Sequence, residues 1–449
     1  MYFDNSESQH YTQQWLFHNR FCYLFRMVYR RIVALDVARG LAILGTLLTN
    51  IAIFASTSDD LFSTFFPERS IAAEAWGFID GSNDTGIPFI PWLIESLLYL
   101  ITDGKFLGLL TIMFGIGVEI QRQSRQRQGL PWPGGYMWRA GILVIEGLLN
   151  YIFIFEFDVL MGYGLTALAV APILARSEKV QKRWMIVGIS IHVFVMTAFA
   201  VIMILLNNMV PLEAQGTEAL GTEDLGAVFA TDSYWDMVQR RAIDIVGGRM
   251  EVAIMFFMGI GVFLLGARLY RAGLFQPDGA ALRRKVMFYC FGIGLPVDWG
   301  LRIFTINAFP LTRYVTSTVV AFGLLALIAW FYVKKGNALG VAGKPIAAVG
   351  RMALTCYVLQ NVVASIIFYD FGFGVARLID GPHYTYWVLL IFALMSLFLV
   401  LLSVAWLSKF ERGPLEMVMR MAYGPLSQRR DARILRKQAQ QFRDSADHL

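Results

Sequence analysis

The feature that most constrains this chain is a series of apolar runs of about the length that crosses a lipid bilayer. A transmembrane helix needs about 20 mostly apolar residues. With 57% hydrophobic and only 16% charged residues, the sequence predicts an all-α, polytopic membrane helix bundle of about ten transmembrane helices. The ten runs lie at about 37–56, 106–120, 136–155, 159–175, 184–206, 251–270, 286–306, 314–333, 346–369 and 386–407.

The distribution of lysine and arginine predicts the orientation. Cytoplasmic segments of membrane proteins carry an excess of both residues. With ten helices and a cytoplasmic N-terminus, the inner segments hold 31 of the 39 basic residues. The outer loop 207–248 instead holds seven acids against two arginines. We therefore expect both termini to be cytoplasmic, and we interpret the net charge of +6 as a topology signal rather than as a sign of a nucleic-acid partner.

Three regions follow from this topology. Residues 1–30 form a cytosolic N-terminal extension, 31–424 a transmembrane domain with outer loops at 57–87 and 207–250, and 425–449 a charged cytosolic tail. The semi-apolar stretch 88–101 has no span of its own, because an eleventh span would invert every later loop. Within the second outer loop, DSYWDMVQRRAIDIV predicts a short amphipathic surface helix.

The first apolar run opens with charged residues. In ALDVARGLAILGTLLTNI, Asp36 and Arg39 stand one helical turn apart, and Asn50, a ligand-binding candidate that would line the polar interior, lies near the far end. Arg39, oriented by Asp36, would suit a phosphate-bearing ligand at the inner face. The alternative is a helix-end ion pair that follows the positive-inside rule.

A polar stripe follows the third run and its exit. Arg139, Glu146 and Asn150 share roughly one helical face, and Asp158 comes shortly after. Polar groups on a buried face of a membrane helix suggest a cavity or a proton relay. Glu146, Asn150 and Asp158 are therefore the catalytic candidates, with Arg139 at the ligand end. The alternative is interhelical hydrogen bonding that holds the bundle together.

Further ligand-binding candidates lie in two other blocks. Lys105 enters a membrane helix from the outer side and would suit an anionic headgroup, unless its ammonium only reaches the interface. Arg351 sits at the inner boundary, where it would meet the same ligand as Arg39. Gln360 and Asn361 are amides at mid-membrane depth, where they need partners.

Several blocks carry a resemblance to a known family. LDVARGLAILGTLLTNI, GKFLGLLTIMFGIGV, FDVLMGYGLTAL, MGIGVFLLGARLYRAGLF, VGRMALTCYVLQN and ERGPLEMVMRMAYG together cover 31–424. They resemble, in order, the blocks of the YeiB-like family of bacterial inner-membrane proteins, whose domain is the domain of unknown function 418. That family is distantly similar to transmembrane acyltransferases. The resemblance implies a multi-pass protein of the inner membrane that moves an acyl group from a cytosolic acyl-CoA-type donor to an acceptor at the outer face.

One position departs from the family pattern. The family usually carries a His ahead of the Asp-Ile-Leu block, where this chain has Asn150. A His accepts a proton near neutral pH, and Asn does not. If that His is the base of the family, Glu146 has to replace it or the chain is an inert ligand-binding relative. A transporter or permease for a small solute or lipid is the other alternative, so enzyme status stays open.

Cofactors and partners follow from the same reasoning. We expect no permanently bound cofactor, with acyl-CoA as a donor substrate. A metal site is not expected, since the chain has five His and neither HExxH nor CxxC. The expected partners are membrane lipids and a small-molecule, lipid or glycan substrate. The sequence leaves the oligomeric state open.

Overall fold

The computed structural model describes residues 32–56, 70–82, 86–209, 233–305, 308–379 and 381–446. The predicted N-terminal extension and large parts of both predicted outer loops lie outside these residues. Within them, the regular structure is helical. The helices longer than five residues are α1 (Val33–Ala55), α2 (Ile71–Asp80), α3 (Phe89–Thr102), α4 (Lys105–Arg127), α5 (Tyr136–Phe153), α6 (Leu160–Leu174), α7 (Glu178–Met209), α8 (Tyr234–Ile243), α9 (Met250–Arg271), α10 (Ala280–Tyr289), α11 (Leu295–Phe304), α12 (Ser317–Lys334), α13 (Gly343–Arg351), α14 (Ala353–Phe368), α15 (Tyr384–Leu407) and α16 (Pro414–Ala446).

Each of the ten predicted apolar runs contains helix within the described residues, and the all-α fold is confirmed. Among the described residues, seven segments are long and apolar enough to cross a membrane, and an eighth qualifies if α13 and α14 form one bent span. The predicted number of ten is therefore not established. The difference lies in α5, whose 18 residues include Arg139, Glu146 and Asn150, and in α6, which has only 15 residues.

The predicted second run is longer than expected. Helices α3 and α4 together form one apolar segment of 39 residues, Phe89–Arg127. The break between them falls at Gly104, whose φ of 70° is a left-handed conformation that glycine adopts without strain. The stretch 88–101 is thus the first half of a kinked segment rather than a separate span.

The helices divide into a central and a peripheral group. Between 56% and 67% of the apolar stretches of α1, α3–α4, α9 and α12 is buried inside the protein. The corresponding share is only 17–22% for α7, α10–α11 and α15. Because α7 and α15 are also the most apolar of these segments, they present the hydrocarbon-facing surface that a bilayer requires.

Two similar strings, MFGIGV in α4 and FMGIGV in α9, lie on helices that pack closely together. A Cβ atom placed on Gly115 would lie 2.3 Å from the Cα of Phe263, so the backbones of the two helices touch at this point. Small residues allow membrane helices to approach in this way. Close packing therefore explains the shared pattern without an internal repeat.

Helices α1 and α13 pack closely against each other. A Cβ atom on Gly350 would lie 1.8 Å from the carbonyl oxygen of Asp36. The chain then turns through 87° between α13 and α14, at Met352. Two blocks that carry the family resemblance thus meet at one end of the bundle.

The C-terminal helix α16 runs through the predicted domain boundary at 424 without a break. Its Asp431 carboxylate pairs with the guanidinium of Arg125 on α4, with an N–O distance of 2.6 Å. The first part of the charged tail is therefore docked against the bundle. At the other predicted surface element, α8 confirms the short helix expected in the second outer loop, and the Ser233 side chain caps its first turn.

Candidate functional site

The three predicted catalytic residues, Glu146, Asn150 and Asp158, lie together in a buried polar core. The Asn150 side-chain amide donates a hydrogen bond to Asp158 Oδ1 at 2.7 Å, and both residues are at most 3% exposed. The link between α5 and α6 carries Asp158 back against α5. Gly147 makes this approach possible, since a Cβ there would lie 2.9 Å from Asp158 Oδ2.

Asp158 has two further partners. Its Oδ2 accepts the backbone N–H of Met161 at 3.2 Å, so it caps the first turn of α6. The Arg249 guanidinium, just before α9, lies 3.7 Å from the same oxygen. Asp158 is thus a fixed anchor of the core, with both oxygens engaged.

The α5–α6 link is held from outside by α8. Arg241 on α8 donates to the Glu156 carboxylate at 2.8 Å, and Arg249 donates to the Glu156 carbonyl at 3.1 Å. Burial raises the pKa of Glu156, and the charge of Arg241 opposes that shift. These contacts fix the loop that positions Asp158.

Helix α14 supplies the opposite wall of the polar core. The Tyr357 hydroxyl accepts the backbone N–H of Val159 at 3.2 Å. About one helical turn further along α14, the Gln360 side-chain amide donates to the Thr46 hydroxyl of α1 at 3.5 Å. Gln360 and Asn361 are both at most 1% exposed. The predicted mid-membrane amides therefore lie on the helix that faces the Asp158 loop.

Several polar atoms of this core have no hydrogen-bond partner among the residues that the structure describes. They are Glu146 Oε2, Asn150 Oδ1, Gln360 Oε1 and both side-chain polar atoms of Asn361. Leaving a buried polar atom unsatisfied costs about 1–3 kcal/mol. Buried polar atoms in native proteins usually have a partner, which is another protein atom, an ordered water or a ligand. The core is therefore the candidate site.

Glu146 is the carboxylate of the core that is most open to chemistry. Its side chain is half-buried, and it lies within electrostatic range of Asp158 and of Glu416 on α16. Asp158 is held by Asn150, Met161 and Arg249, whereas Glu146 keeps a buried oxygen without a partner.

Glu416 is a member of the site that the sequence analysis missed. Its Oε1 accepts the backbone N–H groups of Leu354 and Thr355 at 2.9 and 3.2 Å, and its Oε2 accepts the Thr355 hydroxyl at 2.5 Å. A carboxylate satisfies the exposed N–H groups at a helix start and interacts favourably with the helix dipole. Glu416 therefore closes the start of α14 at the 87° bend.

Asp36, Arg39 and Arg351 lie at the α1–α13 contact. The Arg39 guanidinium is 3.8 Å from the Asp36 carboxylate, and the Arg39 side chain is 32% exposed. Arg351 donates to the carbonyl of Glu411 at 3.1 Å, next to α16. Arg39 and Arg351, the two arginines predicted at the inner face, thus lie on neighbouring helices at the same end of the bundle.

Lys105 belongs to a separate buried charge network. Its ammonium lies 2.7 Å from Asp298, which also lies 3.3 Å from Arg302, and Lys105 is only 4% exposed. Arg302 and Arg313 in turn donate to Asp103 at 2.8 and 2.5 Å. Lys105 therefore has a fixed internal partner and lies apart from the polar core.

Arg139 and Asn50 remain separate from the core as well. Both are half-buried, Arg139 in the first turns of α5 and Asn50 in the last turns of α1. Across the described ranges, no hydrogen bond or ion pair joins either of them to Asp158 or Glu146. No cluster of three or more His, Cys, Asp or Glu in those ranges could hold a metal ion.

Sequence reasoning missed Tyr357 and Thr46, although the quoted blocks contain both. The signal was available for Tyr357, since an aromatic hydroxyl in an apolar membrane helix needs a partner. It was available for Glu416 as well, because a lone acid follows the helix-starting Pro414. In both cases, Tyr357 and Glu416, the sequence does not show which atom is the hydrogen-bond partner.

This fold and its polar interior define a class, the polytopic α-helical membrane protein with a buried polar site. Residues 269–424 match the model of DUF418, a protein family of unknown function. The chain is 26% identical over 413 residues to the uncharacterized protein YeiB of Escherichia coli strain K12, covering 87% of this chain and 95% of YeiB. It is 23% identical over 408 residues to the uncharacterized protein YxaH of Bacillus subtilis strain 168, covering 87% and 94%. The resemblance to the YeiB-like proteins of the DUF418 family is thereby confirmed.

Proposed function

We propose that this protein is a membrane acyltransferase that moves an acyl group from a cytosolic acyl-CoA-type donor to an acceptor at the opposite face of the membrane. The observation that carries the proposal is the buried pair Asn150–Asp158 beside Glu146, in a core with unpaired polar atoms. A purely structural core would satisfy these groups with one another. The family resemblance supports acyl transfer as the reaction.

Glu146 is the residue that would accept the proton. Asp158 already receives hydrogen bonds from Asn150 and Met161, whereas Glu146 has a buried oxygen without a partner. In the proposed step, Glu146 takes the proton of an acceptor hydroxyl as the hydroxyl oxygen attacks the thioester carbonyl. A new C–O bond forms, the C–S bond breaks, and the leaving CoA thiolate takes up the proton from Glu146.

The donor would bind at the end of the bundle that holds Arg39 and Arg351. Arginine recognises phosphate through its planar set of donors, and both side chains lie at the α1–α13 contact. The distribution of basic residues, with 31 of 39 in the predicted inner segments, supports a cytoplasmic location of this end and of both termini. Arg139, at the start of α5, would extend the same basic surface.

Transport is the second candidate, and one observation favours it. Secondary transporters build their binding sites from interrupted helices whose N-termini face the ligand. The pair α13–α14 is interrupted in this way, with a bend of 87°. Here, however, the start of α14 is already closed by the Glu416 carboxylate of the same chain. The acyltransferase proposal is therefore placed first.

The test is the release of free CoA from acetyl-CoA and longer acyl-CoAs by the full-length protein in lipid nanodiscs. The acceptor is supplied as a mixture of bacterial lipids and soluble glycans. We expect release above the protein-free rate and a loss of about 100-fold or more in Glu146→Gln, because that variant lacks the base. Asp278→Asn, an exposed carboxylate outside the core, is the matched control.

The two candidate functions differ in what this experiment yields. If the wild-type protein releases no CoA from any donor, or if Glu146→Gln and Asp278→Asn behave alike, the acyltransferase proposal is wrong. Uptake of a labelled solute or lipid into proteoliposomes would then favour transport.

A further inference from the structure

A large cavity lies apart from the Asp158 core, between the last turns of α1 and helices α2, α3, α11 and α15. Its volume is about 350 Å³, and it reaches the bundle surface. Ligand sites in proteins are typically cavities of this size, with apolar walls and a few polar groups. The proposed acyl transfer assigns no role to this cavity, so its chemistry has to be derived from its own walls.

The positive groups in the cavity wall are already neutralised by the protein. Arg302 is 3% exposed, and its guanidinium donates to Asp103 and Asp298 and to the hydroxyl of Ser317. Arg313 donates to the other oxygen of Asp103. An anionic ligand would have to compete with these internal carboxylates, at the cost of breaking a buried ion pair.

The carboxylates of Glu74 and Glu95, on the other side of the cavity, are not paired with charged groups in the way that the arginines are. Glu74 accepts a hydrogen bond from the indole N–H of Trp92 at 2.6 Å, and Glu95 accepts one from the Thr385 hydroxyl. Both donors are neutral. The two carboxylates are close enough for their charges to repel each other. In the portion of the chain that the structure describes, neither has a cationic partner.

The remaining walls of the cavity suit a ligand with an organic cation and an apolar part. Trp92 and Tyr384 contribute aromatic rings, and Leu48, Ile53, Leu301, Val388 and Leu389 contribute aliphatic surface. Aromatic rings attract organic cations through their negative faces. Aliphatic walls gain free energy when they contact the apolar part of a ligand.

We propose that this cavity is a binding site for an amphiphilic organic cation. Its positively charged nitrogen or phosphorus centre would lie by Glu74 and Glu95, and its apolar part would lie against the walls near Leu48 and Val388. Three observations converge on this ligand class: two carboxylates with no cationic partner within the described ranges, arginines that are already paired, and a cavity lined by aromatic and aliphatic side chains.

The test uses labelled tetraphenylphosphonium, a hydrophobic cation, in equilibrium dialysis with the full chain in a non-ionic detergent. Tetraphenylborate has the same shape and the opposite charge, so it is the matched control ligand. We expect saturable binding of the cation that unlabelled tetraphenylborate does not displace. Equal displacement by tetraphenylborate would overturn the proposal, because the site would then select for shape and not for charge.

Competition with alkyltrimethylammonium ions of different chain length tests whether the ligand is amphiphilic. Displacement that improves from tetramethylammonium to the decyl compound indicates an amphiphilic ligand, as proposed. Equal displacement by both compounds would contradict the amphiphilic character and indicate a small free cation instead. No acyl donor is present in this assay, so its outcome is independent of the proposed acyl transfer.

Variants then locate the site. Glu74→Gln and Glu95→Gln should each weaken tetraphenylphosphonium binding by about tenfold, the effect of one charged interaction. Glu178→Gln, an exposed acid at a different place on the surface, should leave it unchanged. Leu48→Trp keeps both carboxylates but fills the cavity, and it should abolish binding even if the glutamine variants are poorly folded. Unchanged binding in Leu48→Trp would show that the cation binds elsewhere and would overturn the proposal.

Discussion

The carboxylate of Glu416 accepts the backbone N–H of Leu354 at 2.9 Å. These residues are 62 positions apart, in two different sequence blocks that carry the family resemblance. Their contact joins the C-terminal helix α16 to the start of α14, at the sharp bend after α13. The C-terminal block is thus part of the helix bundle rather than an appendage to it.

Removal of this cap should destabilise the protein. Glu416→Ala leaves the N–H groups of Leu354 and Thr355 without their acceptor, and loss of a helix cap costs about 0.5–2 kcal/mol. We expect a lower melting temperature of the purified protein in detergent. Glu411→Ala, an exposed neighbour whose side chain caps nothing, is the control. Equal melting temperatures for the two variants would mean that the cap does not stabilise the bend.

The contact between Gly350 and Asp36 should not tolerate a methyl group. A Cβ at position 350 would lie 1.8 Å from the Asp36 carbonyl oxygen, so Gly350→Ala has to push α13 away from α1. We expect a loss of about 2 kcal/mol or more of stability, or no folded protein at all. Gly340→Ala is the matched control, because a Cβ there meets no atom within 4 Å. Size-exclusion profiles and thermal melting measure the difference, and a normal Gly350→Ala protein would refute the close approach.

The buried pair Lys105–Asp298 should behave as a coupled unit. Lys105→Met leaves the Asp298 charge with one partner fewer, and breaking a buried ion pair costs about 3–5 kcal/mol. Adding Asp298→Asn should recover part of that loss, so the double variant should be more stable than the sum of the single variants predicts, by about 0.5–3 kcal/mol. Thermal melting of the wild type, the two single variants and the double variant gives the double-mutant cycle. The exposed Lys344→Met is the control. Additive effects would argue against a direct interaction.

Arg39 should be needed for binding of a phosphate-bearing donor. At a ligand concentration of about 100 times the dissociation constant, binding stabilises a protein by about 2.7 kcal/mol. We expect acetyl-CoA and CoA to raise the melting temperature, dephospho-CoA to raise it less, and Arg39→Ala to abolish the effect. Arg127→Ala, an exposed arginine of α4, is the control variant. Stabilisation that persists in Arg39→Ala would place the donor site elsewhere.

Asn150→His should increase acyl transfer. The side chain at this position lies 2.7 Å from Asp158, so a His there would form an Asp–His pair with a base that titrates near neutral pH. Because Glu146 already supplies a base, the rise in CoA release should be smaller than the factor of about 100 that a positioned base contributes on its own. Asn50→His, a half-buried residue of α1 outside the core, is the control. No increase over Asn50→His would mean that a base at position 150 does not take part in the reaction.

The sequence by itself determined the elements of this protein and part of its site. Apolar runs of bilayer length become helices because a backbone in hydrocarbon has to satisfy its own hydrogen bonds. The four-residue spacing of Glu146 and Asn150 on α5 reflects helical periodicity. The Asp298–Arg302 ion pair follows from the same rule, because it joins residues one turn apart.

Only the tertiary structure decided which groups are partners across the chain. Lys105 and Asp298 are 193 residues apart, and the sequence instead suggested an outward-facing ligand for Lys105. The capping of α14 by Glu416 and the apposition of Glu74 and Glu95 in one cavity are long-range relationships of the same kind. Helix periodicity is a local property of the backbone, whereas side-chain partners depend on which helices pack together, and that packing is decided by the close contacts of the whole bundle.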